Sequence, residues 1–222
     1  MAQAHVIAVA GLGREVRILG GAGVVCIAGG GHHARLEAEI EAACPTAAGV
    51  ISIGLGGALA EGLQPGDWVV GSSVGPIGTD PAWTSRLMQA LPAARLGPIA
   101  GSDVMIVDAA AKAALHAATG ALAVDMESHV AARVAQRRGL PFAAARTISD
   151  GADRALPRAA QAGMRPDGGM DVLAVIAALG RRPWELPALI RTGMEAEAAF
   201  QALLRGRQLL GPSLGSGGAD LG

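Results

Sequence analysis

The chain alternates between short apolar runs and segments in which apolar residues recur at helical spacing. The apolar runs, which predict buried strands, are His5–Ala10, Val24–Ala28, Val50–Ile53, Trp68–Ser72, Ala121–Val124 and Phe142–Ile148. The segments with helical spacing are His32–Ala43, Ala109–Ala118, Asp171–Leu179 and Leu189–Leu204. This alternation predicts an α/β fold with a twisted, largely parallel sheet that is covered by helices on both faces.

Two stretches interrupt the alternation. Gly75–Gly101 is rich in proline and glycine, and it predicts irregular structure with only a short helix near Arg86–Ala90. Leu156–Gly169 contains two prolines and predicts a loop. The length of 222 residues favours one domain at residues 1–210, followed by a glycine-rich tail at residues 211–222 that we expect to be disordered.

Composition narrows the classes of function. Hydrophobic residues make up 51% of the chain and aromatic residues only 2%, so Ala, Val, Leu and Ile must build the core. The net charge is −1 and there is no basic stripe, which makes nucleic acid a poor partner. Cys26 and Cys44 match no metal or redox spacing and fit reduced thiols. There is no signal-like leader and no apolar stretch of membrane-spanning length, so we expect a cytoplasmic protein.

Ala121–Asp150 is the most informative segment. It predicts a strand, a helix and a second strand, with Glu127 after the first strand and Asp150 at the end of the second. Such a unit predicts a right-handed parallel crossover, which would bring both acids to one crevice at the carboxyl edge of the sheet. A purely structural interpretation is also open, in which Glu127 caps the helix and Asp150 begins a turn.

The motifs AVDMES and ARTISDGAD in this segment resemble the signature of the nucleoside phosphorylase and nucleosidase superfamily, most closely its methylthioadenosine/adenosylhomocysteine nucleosidase branch. The resemblance implies a three-layer αβα sandwich around a mixed, mostly parallel sheet. It also implies that Met126 and Glu127 contact the ribose, with the Glu gripping its hydroxyls. The Asp of the pair Ser149 and Asp150 would protonate the purine at N7.

Two further motifs fit the same resemblance. Gly54–Val70 is similar to the second signature of the superfamily, in which a turn such as Gly56-Gly57 passes close to the ribose and base. Ser102–Ile106 is similar to the segment whose backbone binds the purine edge, which makes Met105 and Ile106 candidate base contacts. The structural alternatives are an ordinary tight turn and a core methionine.

Glu15 is relevant to the choice between water and phosphate as the nucleophile. In the hydrolytic branch a Glu at this spacing after the first strand activates water, although a single acid in a first helical turn can equally be solvated. The phosphorolytic branch binds phosphate with an Arg and a Ser, where this chain has Ser52 and Leu55, and only Arg14 offers a nearby positive charge. We therefore expect hydrolysis, with phosphate as the alternative co-substrate and with no metal or other cofactor.

The segment Arg181–Gly206 and the compact middle of the chain resemble the hopanoid-associated phosphorylase subfamily. That resemblance implies adenosylhopane, a lipid-linked adenine nucleoside, as substrate, with peripheral membrane contact and a homo-oligomer as further expectations. It also predicts an apolar groove leading out from the ribose site, with candidate lining residues Trp83, Leu87, Met88 and Trp184.

Two other classes of function stay open from the sequence. The pattern Gly29-x-Gly31-x-x-Ala34 after a predicted strand is formally a dinucleotide fingerprint, but the next strand ends in Gly54 rather than an acid. A non-catalytic nucleoside-binding module on the same fold is the other alternative, since fold does not fix function.

Overall fold

The computed structural model describes residues 4–91, 93–163 and 172–217. Within these residues the chain forms eight strands and eight α-helices. The strands are β1 His5–Ala10, β2 Val24–Ala28, β3 Ala47–Ala58, β4 Trp68–Val74, β5 Ile77–Gly78, β6 Arg95–Gly101, β7 Ala123–Asp125 and β8 Phe142–Asp150. The helices are α1 Gly13–Leu19, α2 His33–Ala43, α3 Pro81–Ala90, α4 Ala109–Thr119, α5 Ser128–Arg138, α6 Arg158–Gly163, α7 Val172–Arg181 and α8 Leu186–Leu210. Short 3-10 turns lie at Cys44–Thr46 and Pro183–Glu185.

The strands form one mixed sheet that curls back on itself. β1 pairs in parallel with β2 and β3, and β3 pairs in parallel with β8. β8 pairs antiparallel with β4, and the sheet returns through β6 and β7 to the far end of β3. β3, β8, β4, β6 and β7 therefore enclose a ring, and the predicted α/β class with a mixed sheet between helices is confirmed.

Helices cover the sheet on both faces because side chains alternate along the buried strands. Ile7 and Val9 of β1 belong to the core beneath α2 and α5, whereas Val6 and Ala8 belong to the core beneath α1, α3 and α8. The helical contributions to the first core include Leu36, Ile40, Val130 and Val134, and those to the second include Leu19, Trp83, Leu87 and Leu203. This is the three-layer arrangement expected from the sequence.

α8 lies unusually close to the sheet. A Cβ on Gly206 would come within 2.3 Å of Trp68 Cζ2, so only glycine permits this contact with the start of β4. The close approach fixes the axis of α8 over the sheet, and this long helix forms one wall of the site described below.

The expected parallel crossover from β7 to β8 is wrong. β7 runs antiparallel to β3 at Gly57–Ala58, whereas β8 runs parallel to β3 along most of its length. β7 is short and pairs with the end of β3 that the ring leaves free. The length of the connection between β7 and β8 does not reveal this pairing. Glu127 and Asp150 still approach each other, because Gly57 has Val124 as its partner on one side and Asp150 on the other.

The segment Gly75–Gly101 is more regular than its composition predicts. α3 begins at Pro81, with the Asp80 side chain accepting a hydrogen bond from the Trp83 amide at 2.7 Å. The strand β6 at its end was missed, because Gly97 and Pro98 interrupt the apolar pattern. Gly97 is needed in that strand, since a Cβ there would lie 2.4 Å from Leu122 Cδ1.

The expectation of a disordered tail from residue 211 fails for its described part, residues 211–217. Leu214 is fully buried, and its carbonyl accepts a hydrogen bond from Trp83 Nε1 at 2.9 Å. Arg86 donates to the carbonyls of Gly215 and Ser216. Residues 218–222 of the predicted tail lie outside the described residues. The predicted loop Leu156–Gly169 contains α6, and its part from residue 164 onwards likewise lies outside them.

Among the described residues, none of the helices combines the length and the apolar character required to cross a bilayer.

Candidate active site

A cavity of about 530 Å³ lies where the carboxyl ends of β3 and β8 meet β7 and the first turn of α1. The residues that the sequence predicted for catalysis and for contact with the ribose and base all line it, namely Glu15, Gly56, Gly57, Met105, Ile106, Met126, Glu127, Ser149 and Asp150. We call the part around Glu15, Asp125, Glu127 and Asp150 the acid end. The apolar end consists of Leu156, Ala160, Val175, Leu189, Ala196 and Phe200, which lie in or next to α6, α7 and α8.

Glycines let the backbone of β3 approach the acid end. A Cβ on Gly56 would lie 3.0 Å from the Val124 carbonyl oxygen, and one on Gly57 would lie 3.3 Å from Asp150 Oδ2. Any larger residue would push β7 or the Asp150 carboxyl away from β3. The Gly56-Gly57 pair thus leaves room for the β7 backbone and for the Asp150 carboxyl group.

Glu15 is buried, with 1% of its surface exposed, so it is not the solvated acid of the structural alternative. Its carboxyl oxygens accept hydrogen bonds from the backbone amides of Leu55 and Leu12, each at 2.5 Å. Burial raises the pKa of Glu15, and these two amides oppose the rise only in part. A Cβ on Gly54 would come within 2.4 Å of Glu15 Oε1, so β3 leaves room for this carboxyl group.

Asp125 forms a buried ion pair with Arg146. The guanidinium Nη2 lies 3.0 Å from Asp125 Oδ1, and the side chains of both residues are 1% exposed. The same Oδ1 accepts hydrogen bonds from the amides of Glu127 and Ser128 at 2.7 and 2.6 Å, so Asp125 caps α5 in the role that the structural interpretation gave to Glu127. Burial alone would raise the pKa of Asp125, but the Arg146 charge and the hydrogen bonds hold it below its usual value.

Glu127 has the opposite environment. Burial, with repulsion from Asp125 as the next cause, raises the pKa of Glu127 to about 8, although Arg146 partly opposes the rise. Its carboxyl group is therefore largely protonated at neutral pH. Gly11 and Gly29 pack against it, and a Cβ on Gly29 would lie 2.5 Å from Glu127 Cγ.

Asp150 is held by two side chains. Ser149 Oγ donates to Asp150 Oδ1 at 2.6 Å, and Lys112 Nζ donates to Asp150 Oδ2. The same ammonium group donates to the Gly151 carbonyl at 2.8 Å, and Lys112 is 1% exposed. The structure thus places an ion pair between a buried lysine and a partly buried aspartate at the position from which the sequence predicts a proton donor.

The loop between β6 and α4 forms a third side of the acid end. Met105 and Ile106 line the cavity from this loop. Met105 is 39% exposed, so it belongs to the rim of the cavity and not to the core that the structural alternative proposed. The loop is fastened at its start by the Ser102 amide, which donates to the Asp125 carbonyl at 2.9 Å.

A sequence model of one enzyme family, described as the phosphorylase superfamily, matches residues 12–181, which include the carboxyl groups of the acid end. The chain belongs to the phosphorylase superfamily.

Solved structures of similar fold include three bacterial nucleoside hydrolases. The adenosylhomocysteine nucleosidase of Streptococcus pyogenes, bound to 5-methylthiotubericidin, has a TM-score of 0.68 at 17% identity, with 99% of each chain covered. The 5′-methylthioadenosine/S-adenosylhomocysteine nucleosidase of Helicobacter pylori has a TM-score of 0.66 at 16% identity, covering 95% of this chain and 97% of that one. Futalosine hydrolase of H. pylori gives 0.66 and 16%, covering 96% and 97%. No curated protein matches the chain.

The sequence analysis missed the residues of this phosphorylase-superfamily site that set its charges. Asp125 lies inside the AVDMES motif and Arg146 inside ARTISD, yet neither motif alone reveals that the two form an ion pair. Lys112 lies on an alanine-rich helix, where the sequence pattern predicts a solvent-exposed side chain. One signal could have identified it, because a lone lysine on an otherwise apolar helix face has a high cost of burial unless it is paired.

Other sequence predictions need correction. Trp83 and Leu87 are buried in the core between α3 and the sheet, and Met88 packs against the same core, so none of them lines the cavity. Trp184 is 72% exposed on the outer surface. Arg14 points towards α8, where it forms a two-pronged pair with Glu197 and stacks 4.0 Å over the Phe200 ring.

In the Gly29–Gly31 turn, Gly29 packs against the Glu127 side chain. The turn lies within the matched phosphorylase-superfamily segment, so a dinucleotide is not needed to explain its glycines.

Proposed function

We propose that this enzyme hydrolyses the N-glycosidic bond of an adenine nucleoside that carries a large apolar 5′ substituent. One observation carries the proposal: a single cavity joins a cluster of carboxyl groups to an apolar end formed by helices. The acid end provides what nucleoside cleavage needs, and the apolar end has the chemistry of a hydrophobic substituent.

Charge at the acid end favours the transition state of this reaction. As the bond to the base breaks, positive charge develops on the ribose ring. Asp125 and Asp150, which are both in ion pairs, line the cavity and place negative charge beside the ribose. Glu127 binds the 2′ and 3′ hydroxyls, whose hydrogen bonds replace the water lost by its buried carboxyl group.

The leaving base must gain a proton, and the pair of Lys112 and Asp150 supplies it. The Lys112 ammonium group passes a proton to the Asp150 carboxylate, and Asp150 transfers it to N7 of adenine. The balance after cleavage is a neutral lysine, an Asp150 carboxylate and a base that leaves uncharged. Ser149 holds the second carboxyl oxygen and fixes its direction.

Water fits as the nucleophile better than phosphate. The lining contains no lysine, arginine or histidine among the described residues, so phosphate would enter beside four carboxyl groups with no cation facing it. Arg14 is bound to Glu197, and Arg146 is bound to Asp125 and Ser52. Glu15, with a pKa raised by burial, is suited to accept a proton from water.

The apolar end supports a lipid-linked nucleoside such as adenosylhopane. Leu189 and Ala196 of α8 face the cavity, whereas Ile190 and Met194 on the same helix are exposed, as are Leu173, Ile176 and Trp184 nearby in the chain. Apolar surface thus occurs on the inner and outer faces of these helices, as peripheral contact with a membrane would require. The protein would then act in hopanoid side-chain synthesis as a cytoplasmic enzyme.

Nucleosides with a smaller 5′ group are the main alternative. The similar structures are named for methylthioadenosine, adenosylhomocysteine and futalosine, so one fold serves proteins with different 5′ groups. A non-catalytic module is less well supported, because Glu127 and Asp150 line one cavity and do not lie on opposite faces.

Release of free adenine tests the proposal directly. The protein is incubated with adenosylhopane in detergent micelles, with methylthioadenosine and with adenosine, each with and without phosphate. We expect adenine release from adenosylhopane to be fastest and independent of phosphate. Strict dependence on phosphate would establish phosphorolysis, a preference for methylthioadenosine would establish the alternative substrate, and no release from any nucleoside would refute the enzyme.

A further inference from the structure

Three side chains from separate parts of the chain converge beside the acid end. His33 begins α2, Asp103 lies in the loop between β6 and α4, and His129 is in the first turn of α5. His129 Nε2 lies 2.9 Å from Asp103 Oδ1, and His33 Nδ1 lies 3.2 Å from the same oxygen. The three atoms are all within 4.8 Å of one another.

These separations suit a tetrahedral metal ion. Zinc binds imidazole nitrogen and carboxylate oxygen at about 2.0–2.2 Å, which places neighbouring ligand atoms roughly 3.3 Å apart. Both measured separations are within about 0.4 Å of that spacing. Two histidines and one carboxylate favour a zinc-like transition ion, since magnesium and calcium prefer oxygen ligands alone.

Both histidine rings are largely buried. Their side chains are 23% and 17% exposed, and the far nitrogens, His33 Nε2 and His129 Nδ1, are buried without a hydrogen-bond partner in the described part of the chain. A metal ion bound at the near nitrogens would leave each far nitrogen as a buried N–H group without an acceptor.

We propose that His33, Asp103 and His129 bind a divalent transition-metal ion of the zinc class, with the fourth position open to water. The ion joins three segments: α2, α5 and the loop that carries Met105 and Ile106. Its role is structural, because it holds this loop against the rim of the substrate cavity, and the chemistry at the acid end does not use it. The site does not depend on the proposed nucleosidase function.

The unpartnered far nitrogens limit the affinity. A ligating histidine usually donates its other N–H to a carboxylate or carbonyl, and the loss of such partners lowers metal affinity by about 10–100-fold. Because the described residues supply none here, we expect moderate affinity for this site. The sequence predicted that the reaction needs no metal or other cofactor, and the proposed ion takes no part in that reaction.

Cobalt binding tests the site without any substrate. Chelator-treated, untagged full-length protein is titrated with Co²⁺, whose visible absorption is strong when the ion is four-coordinate. We expect one equivalent to give this absorption, Zn²⁺ to remove it by displacement, Mg²⁺ to leave it unchanged, and Zn²⁺ to raise the melting temperature. His129→Ala and Asp103→Asn should weaken binding at least 10-fold.

His32→Ala is the matched control, because His32 is the exposed neighbour of His33 and is not part of the cluster. It should retain the cobalt spectrum and the affinity of the unaltered chain. Asp103 is 79% exposed, so Asp103→Asn should fold normally and report on the ligand alone. Absence of four-coordinate absorption in the unaltered protein, or equal affinity of the Asp103→Asn and His32→Ala proteins, would overturn the proposal and leave an ordinary His–Asp–His hydrogen-bond cluster.

Discussion

At the acid end of the cavity every carboxyl group is buried or tied to a fixed donor, whereas the apolar end is bounded by helices whose outer faces are open to solvent. Glu15 is held by two backbone amides, and Asp150 is held by Ser149 and Lys112. At the other end, Leu189 faces the cavity while its neighbour Ile190 is 56% exposed. The sheet thus holds the carboxyl groups proposed for catalysis in defined positions. In the proposed function, the helices near the surface determine which 5′ group is preferred.

A second contrast lies within the acid end itself. Asp125 and Glu127 are two residues apart, both are buried, and both are close to Arg146. Asp125 makes the direct ion pair, and its pKa is lowered, whereas Glu127 lacks that contact, and its pKa is raised to about 8. One carboxylate has a structural role, and the other keeps a carboxyl group available for a ligand.

Asp150→Asn should have the largest effect on turnover. The amide keeps the shape of the side chain but cannot pass a proton to the base, so we expect kcat to fall by about 10²–10⁴-fold or more, while the fold stays intact. Adenine release and the melting temperature are measured together. Asp153→Asn is the control, since that side chain is 78% exposed. A fully active Asp150→Asn protein would remove Asp150 from the mechanism.

Glu127→Gln tests the contrast between the two neighbouring acids through stability. Because its pKa is raised from 4.5 to about 8, the folded protein keeps a proton that the unfolded chain releases in this window. Stability contributed by this group is therefore full below about pH 4.5 and is lost as the pH rises towards 8.

The glutamine protein lacks this loss, so the two proteins should melt alike near pH 4.5 and diverge as the pH rises. Each pKa unit corresponds to about 1.4 kcal/mol. With roughly 2–4 °C per kcal/mol for a chain of this size, we expect the variant to melt at least ~5 °C higher at pH 8. Melting temperatures from pH 4.5 to 8 provide the measurement, and parallel curves would show that Glu127 is ionised in the empty protein.

Part of this arrangement could be predicted from the sequence. The strands β1 and β2 have the predicted bounds, since local apolar runs determine buried strands. Local motifs also named the residues that line the acid end. The direction of β7 and the partners of its acids could not be predicted. Arg146 pairs with Asp125, 21 positions away in the sequence, and Lys112 pairs with Asp150, 38 positions away. Only the closed ring of strands brings each residue close to its partner.

Lys112→Met should have the next largest effect on catalysis, because it removes the proposed source of the proton while leaving Asp150 in place. We expect kcat to fall by about 10²-fold with a smaller change in KM, and the dependence of kcat on pH to change shape. Lys112→Arg should not restore the activity, since a guanidinium group can still pair with Asp150 but does not release its proton. If Lys112 had only a structural role, Lys112→Met would lower the melting temperature and leave the pH profile of the remaining activity unchanged.

The smallest expected effect separates the apolar end from the acid end. Leu189→Ala removes apolar surface from the cavity wall, whereas Ile190→Ala removes similar surface from the exposed face of the same helix. At about 0.8 kcal/mol per buried CH₂ group, partial loss of contact should raise KM about 10-fold for a nucleoside with a large apolar 5′ group. It should leave adenosine unaffected, because adenosine does not reach the helices. In micelles, Ile190→Ala should change the KM neither for that nucleoside nor for adenosine. Equal effects of the two variants would mean that α8 does not contact the 5′ substituent.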